Sequence, residues 1–403
     1  MLLVAATGGR AQEASQDILQ DTLVQDTLPW PLSLQLRIDR MLEEPLLQQS
    51  QMGLMVYDLT ADTTIYDWHA TQTLRPASTM KLVTAITALD RLGGEYQYST
   101  SLYYSGTISN HFFTGDIICK GGMDPTFDDG DLTRFVDKLR GLGIDTLRGR
   151  LVADISMKDT LMWGEGWCWD DDNPTLTPLL IGKKATFISR LNKKLTDAGI
   201  VLMGVKTCEG RLPAKATHVA TVSHSIDHIM QRMMKESDNL YAESMFYQVA
   251  ASTTVRRPGA KQAREVVNAL IGRLGLNADN YKIADGSGLS LYDYLSPELE
   301  VALLKHAWTK REIYDHLLPT LPIAGIDGTL KKRMKGTWAE GNVKAKTGTV
   351  TGVSCLAGYC TAPNGHRLCF SIMNQGVLTI SRARDFQDRL CEAMCKPQST
   401  LLQ

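Results

Sequence analysis

Three short polar motifs set far apart constrain this chain more than anything else in it: Ser78-Thr79-Met80-Lys81, Ser237-Asp238-Asn239 and Lys346-Thr347-Gly348-Thr349. The first opens an apolar-rich segment, residues 80–92, that reads as a helix stopping at Gly93-Gly94. On a helix, residues three apart face the same way, which brings the Ser78 hydroxyl within reach of the Lys81 amine. A serine hydroxyl is a weak nucleophile at neutral pH and needs a base beside it. A lysine can be that base when burial and the positive end of a helix depress its pKa. The second motif lies between two helical segments. There Ser237 can relay a proton and Asn239 can hold a carbonyl, although ordinary helix caps use the same residue types. The third lies in an alternating strand, where Lys346, Thr347 and Thr349 suit a carboxylate and Gly348 removes bulk. The first pattern alone should arise about once or twice by chance in a chain this long. All three in this order are a far rarer coincidence. A fold that uses them together must gather residues from the beginning, middle and end of the chain.

The segments around the motifs suggest how. Apolar residues at helical spacing over 34–47 (Leu36, Ile38, Met41, Leu42) predict an amphipathic surface helix. Strand-like runs at 52–58 and 63–68 flank Leu59-Thr60-Ala61-Asp62 and predict a hairpin. From about 100 to 217, short alternating runs (100–104, 116–119, 151–154, 201–207) and two helices (131–142, 185–198) lie among Gly- and Asp-rich turns. This stretch reads as a small α+β module. Helices at 225–235, 242–251 and 260–274 follow, then strands at 343–350, 354–360 and 367–373 and a closing helix at 381–394. With the early hairpin they predict a five-stranded antiparallel sheet flanked by helices, an α+β fold into which the module is inserted. The expected division is a leader at 1–29, a main domain from 30–99 plus 218–397, and the insert at 100–217.

Composition narrows the partners. Lysine plus arginine total 43 against 44 aspartate plus glutamate, a net charge of −1. That balance lacks the basic excess of nucleic-acid binders, so no nucleic-acid partner is expected. No apolar run approaches the roughly 18 to 20 residues that span a bilayer, so no transmembrane segment is expected. The stretch from Met1 to Gln12 is short, apolar and then small-residue-rich, with no basic segment before it. It reads as a secretory-signal remnant, which would imply export, or as a frayed tail, followed by a polar leader. The eight cysteines have spacings, such as Cys355 to Cys360 and Cys391 to Cys395, that match no zinc site. They read as buried small hydrophobes. The eight histidines form no H-E-x-x-H pair, so neither metal nor cofactor is expected.

In this order the three motifs are the set carried by class A β-lactamases and penicillin-binding proteins. More narrowly, the chain resembles the penicillin-binding protein 4 family of D-alanyl-D-alanine carboxypeptidases/endopeptidases, serine peptidase family S13. Gly122-Met123-Asp124-Pro125-Thr126, Asp285-Gly286-Ser287-Gly288-Leu289-Ser290 and Leu321-Pro322-Ile323-Ala324-Gly325 through Gly328-Thr329-Leu330 are similar to its other signatures. The likeness runs from Leu34 to Met394. It implies the transpeptidase fold shared with serine β-lactamases. It also implies a single inserted module, because Leu82 to Glu236 is too short for the two that the family often carries.

The resemblance further implies a peptidoglycan stem peptide as substrate and β-lactam antibiotics as covalent inhibitors, both acylating Ser78. Lys81 would take the Ser78 proton, and Ser237 with Lys346 would return it to the leaving amine. Asn239 would hold the acyl side, while Lys346, Thr347 and Thr349 receive the terminal carboxylate and Gly348 leaves room for it. The N–H groups of Ser78 and Thr349 would form the oxyanion hole. The turn at 285–288 reads either as lining the groove, with Asp285 and Ser287 as substrate contacts, or as a purely structural loop. Ala284 at its head excludes the G-x-S-x-G elbow. Two other readings use the same residues: a serine β-lactamase, and a cell-wall peptide-binding protein without turnover. Chain length and the inserted module favour the peptidase, and the intact motifs favour an enzyme. The substrate implies an extracytoplasmic, periplasmic location.

Overall fold

The computed structural model describes residues 28–169 and 173–397, so residues 1–27 of the expected leader lie outside the described residues. Helix α1 spans Leu32–Leu42, shorter than the expected 34–47. Pro45 opens a separate turn, Pro45–Gln48, because proline lacks the N–H a continuing helix needs and disfavours helix in the residue before it. Strands β1 (Gln51–Asp58) and β2 (Thr63–Trp68) form the expected hairpin. Helix α2 (Met80–Leu92) buries every residue from Met80 to Leu89, which makes it the central helix, and Gly93 ends it at φ 84.

The next elements build a second sheet. They are β3 (Gln97–Ser109), β4 (Phe112–Lys120), helix α3 (Asp129–Gly141), β5 (Thr146–Asp154), helix α4 (Phe187–Asp197), β6 (Val201–Leu202), β7 (Lys206–Glu209) and β8 (Thr217–Ser225). The strand order is β6-β5-β4-β3-β8, with β7 also beside β5. The expected strand at 201–207 is broken in two, and Gly204 between the pieces takes φ 63. Strand β8 was not foreseen, since its threonines, serines and histidines give it little apolar signal. It pairs antiparallel with β3, Gln97 opposite Ser225, so the chain enters and leaves this sheet side by side.

Helices α5 (Ile226–Lys235), α6 (Asn239–Ala251), α7 (Ala260–Arg273), α8 (Pro297–Thr309) and α9 (Arg311–Leu317) follow. Then come β9 (Lys344–Val350), β10 (Val353–Thr361), β11 (Arg367–Gln375) and helix α10 (Ile380–Cys395). Helix α8 was also unforeseen; Ser296 caps it by accepting from Leu299 N at 3.2 Å, with Pro297 at its first position. The first sheet runs β2-β1-β11-β10-β9, antiparallel throughout. Its central strands β10 and β11 are buried on both faces, which is why they read as continuous apolar runs. Helices α2, α6 and α8 pack on one face, and α1 and α10 on the other. A separate core fills the second sheet. This is the α+β fold expected from the sequence.

Candidate active site

Ser78 sits in the 3-10 turn Ala77–Thr79 that leads directly into α2, and it is half-buried. Ala77 before it takes φ 45, a left-handed conformation uncommon for a residue with a side chain. Lys81, in the first turn of α2, is fully buried. Its Nζ lies 3.0 Å from Ser78 Oγ, 2.8 Å from Asn239 Oδ1 and 2.7 Å from the Ser287 carbonyl. Burial pulls its pKa down from 10.5 to about 8, against the opposing pull of Asp285, Glu243, Asp238 and Asp293.

The junction between α5 and α6 supplies the second group. Asp238 accepts from Leu240 N at 3.1 Å and so caps α6, with Asn239 as the first helical residue. That hydrogen bond leaves Ser237 in a left-handed turn at φ 60. Ser237 Oγ accepts from Lys346 Nζ at 2.9 Å, and Lys346 also donates to the Thr347 carbonyl at 2.7 Å. Lys346 is fully buried, and burial together with the charge of Lys81 pushes its pKa well below the ordinary lysine value. Helix α6 is itself fastened to the second sheet by Ser244, which donates to the Met123 carbonyl, and by Gln248, which donates to the Gly122 carbonyl. This explains the Gly122-Met123-Asp124 segment structurally.

Strand β9 is the edge of the first sheet. The Ala345 N–H donates away from β10, to Pro322 O at 3.0 Å. The two-residue period of a strand therefore turns the N–H groups of Thr347 and Thr349 to the same outer edge. Gly348 is required by close approach: a Cβ there would lie 2.5 Å from the Pro76 carbonyl oxygen, in the turn that holds Ser78. Thr347 Oγ1 donates to Thr329 Oγ1 at 2.8 Å, and Thr349 Oγ1 accepts from Arg384 Nη2 at 3.2 Å. Ser78, Ser237, Thr329, Thr347 and Thr349 share one cavity of about 560 Å³.

Asp285 and Ser287 are placed differently from the sequence expectation. Both side chains are buried and turned away from the cavity. The Asp285 carboxylate accepts from the N–H groups of Ser287 (3.0 Å), Gly288 (2.6 Å) and Ser290 (2.8 Å) and from Trp167 Nε1 (2.8 Å). Those donors consume its acceptor capacity and fold the loop so that the Ser287 carbonyl faces Lys81. Gly288, at φ 75, lets that loop touch the nucleophile turn; a Cβ there would lie 1.7 Å from the Ala77 oxygen. Sequence reasoning also missed Glu243, whose Oε1 accepts from Gly286 N at 3.0 Å, and the cations of the cavity wall, Lys331, Lys332, Arg333 and Arg384. No local pattern marks Glu243; Lys331-Lys332-Arg333 is a visible basic run, but nothing in it shows that it faces Ser78.

A half-buried serine beside a buried lysine, and a second serine held by another, define a serine acyl-transfer enzyme. The chain belongs to the D-Ala-D-Ala carboxypeptidase 3 (S13) family, whose model matches residues 34–180 and 181–395. It is 25% identical over 418 residues to D-alanyl-D-alanine carboxypeptidase DacB of Haemophilus influenzae, covering 82% of this chain and 86% of the relative. It is 27% identical over 439 residues to the D-alanyl-D-alanine carboxypeptidase of an Actinomadura species, covering 84% of this chain and 80% of the relative. The crystal structure of penicillin binding protein 4 from Haemophilus influenzae has the same fold. Its TM-score is 0.81 at 23% identity, over 88% of this chain and 97% of that one.

Proposed function

We propose that this chain hydrolyses the D-alanyl-D-alanine bond of peptidoglycan stem peptides through an acyl-enzyme on Ser78. The observation that carries the reading is the pairing of Lys81 with Ser78 and of Lys346 with Ser237 around one cavity. Neutral Lys81 takes the Ser78 proton as Oγ bonds to the carbonyl carbon between the two D-alanines. The oxyanion is received by the N–H groups of Ser78 and Thr349, each such donor being worth about 10²–10³ in rate. The C–N bond then breaks, Ser237 gives a proton to the leaving nitrogen, and Lys346 reprotonates Ser237. Water then attacks the ester carbonyl and its proton goes to Ser78 Oγ as the acyl C–O bond breaks, while the proton held by Lys81 returns through solvent to Lys346, so both lysines regain their starting states. Asn239 turns its Oδ1 to Lys81, which leaves its amide N–H₂ for the carbonyl of the acyl side. Thr347 and Thr349 with Lys346 receive the terminal carboxylate, and Gly348 lets the nucleophile turn approach them.

Family membership favours this serine-type carboxypeptidase over the β-lactamase and non-catalytic readings. β-Lactams enter as covalent inhibitors by the same attack of Ser78 on a strained amide. We take 30–96 with 226–397 as the catalytic domain and 97–225 as an inserted one, wider at both ends than the expected 100–217, a division supported by β3 and β8 lying side by side in the second sheet. The substrate calls for an extracytoplasmic, periplasmic location. Among the described residues no helix is long and apolar enough to cross a membrane.

The test is labelling with a fluorescent penicillin, mass mapping of the adduct, and assay of D-alanine release from a D-Ala-D-Ala peptide. A long-lived adduct on Ser78 and peptide turnover are expected, both lost in Ser78→Ala. Label persisting on another serine overturns the assignment, and rapid drug hydrolysis without peptide turnover favours the β-lactamase.

A further inference from the structure

The cavity beside Ser78 is walled by cations that the reaction above does not use. Lys331, Lys332, Arg333 and Arg384 line it, and among the described residues no aspartate or glutamate does. One of the four is already neutralised: Arg333 pairs with Asp388 at 2.7 Å and donates to the Arg384 carbonyl at 3.2 Å. Arg384 is exposed and donates to Thr349 Oγ1. Lys331 and Lys332 are exposed and have no ion-pair partner among the described residues. The chain as a whole carries a net charge of −1, so this excess is local rather than a sample of a basic surface. Arg384 also stands near the start of α10, whose first turn holds no acid. A cation there opposes the helix dipole, a cost that an anionic ligand reverses.

The side of Ser78 on which these cations stand is set by β9. Thr347 and Thr349 line the cavity, whereas Asn239 and the 285–290 loop do not. On the reading proposed above, the Thr347 and Thr349 hydroxyls take the carboxylate next to the scissile bond. The cavity is therefore the leaving-group side. One carboxylate is answered by the strand and Arg384, which leaves Lys331 and Lys332 without a counter-charge.

We propose that Lys331 and Lys332 form a second anion subsite that selects leaving groups carrying a further carboxylate beyond the one at the scissile bond. The inference rests on the peptidase reading. The ligand class is an acidic amino acid released from a D-alanyl carbonyl. The bond broken and the proton transfers are those of the reaction already described.

The experiment uses three peptides identical up to the last residue, ending in D-Ala-D-Ala, D-Ala-D-Glu and D-Ala-D-Gln. The last two match in size and differ in charge. For the unmodified chain at low salt, kcat/KM for the D-Glu peptide is expected to exceed that for the D-Gln peptide by about tenfold. The ratio should fall towards one in 1 M salt, where the screening length is about 3 Å. It should also fall towards one in the double variant Lys331→Ala/Lys332→Ala. Equal turnover of the two peptides, or a ratio unchanged by the double variant, overturns the subsite while leaving the peptidase intact. Failure to release D-alanine from the D-Ala-D-Ala peptide strikes down the peptidase reading, and the subsite with it.

Discussion

Lys81 Nζ stands 3.0 Å from Ser78 Oγ with the lysine sealed from solvent, so the proposed base is dry and the proposed nucleophile is not. Burial holds Lys81 at about 8 rather than 10.5, so it becomes neutral at a lower pH than a free lysine. Below pH 8 each pH unit should therefore change the neutral fraction about tenfold, with roughly a tenth neutral at pH 7. The rate of Ser78 acylation by a penicillin is expected to rise with pH in that proportion and level off above about 8. Lys81→Ala should lower it by about 10² or more. A rate that is flat from pH 6 to 8 would show that another group is the base.

Two glycines hold the nucleophile turn between strand and loop. A methyl at Gly288 meets the Ala77 oxygen at 1.7 Å with the backbone at φ 75, and a methyl at Gly348 meets the Pro76 oxygen at 2.5 Å. Both obstacles are backbone atoms of the Ser78 turn, so relief requires that turn to move. Gly348→Ala should cost about 1–3 kcal/mol, and Gly288→Ala more, because overpacking and left-handed strain add. Displacement of the turn by about 1 Å should slow acylation by about 10² in either variant. Thermal melting and acylation of the folded fraction separate the two effects. Full acylation in a destabilised Gly348→Ala would mean that the sheet yields instead of the turn.

The parts of this fold that could be read in advance are those whose signal is local. Ser78 and Lys81 announce themselves by a spacing of three at the head of an apolar helix, and Gly93 marks that helix's end. Strands β10 and β11 are apolar because both faces are covered. Strand β8 escaped notice because pairing with β3, not its own side chains, makes it a strand. The wall of the cavity escaped for a related reason: Lys331, Lys332 and Arg384 come from separate loop and helix segments that only the closed sheet brings together. Asp285 was legible as a loop carboxylate, but not the side to which it turns. A motif shows that a carboxylate is present, whereas its orientation is decided by the N–H groups waiting for it.

The inward orientation of Asp285 is testable. Asp285→Asn puts an N–H₂ among N–H donors in a buried loop, an arrangement that leaves donors unpaired and should cost about 1–3 kcal/mol. The loop carries the Ser287 carbonyl that accepts from Lys81, so kcat and the acylation rate should fall while the peptide KM stays near its original value. A rise in KM with kcat preserved would return Asp285 to the substrate groove.

Glu300 couples the same turn to pH from its other side. This fully buried carboxyl accepts from Ser371 Oγ at 2.6 Å, while its Oε1 has no hydrogen-bond partner; the hydroxyl of Thr79, the neighbour of Ser78, donates to the Pro76 carbonyl. Burial pushes its pKa up to about 7 from 4.5, with the Ser371 hydrogen bond opposing that rise. Between those values the folded chain holds a proton that the unfolded chain has released. Its contribution to stability is therefore full below about pH 4.5 and is lost as the pH rises through 7. The span corresponds to about 3 kcal/mol at most. Glu300→Gln removes the titration, so the stability of the variant relative to the original should improve steadily from pH 4.5 to 7 and then hold constant. Urea unfolding of both proteins across that range measures the difference directly. A difference independent of pH would mean that Glu300 is ionised in the folded protein throughout, its charge answered by the Ser371 hydroxyl.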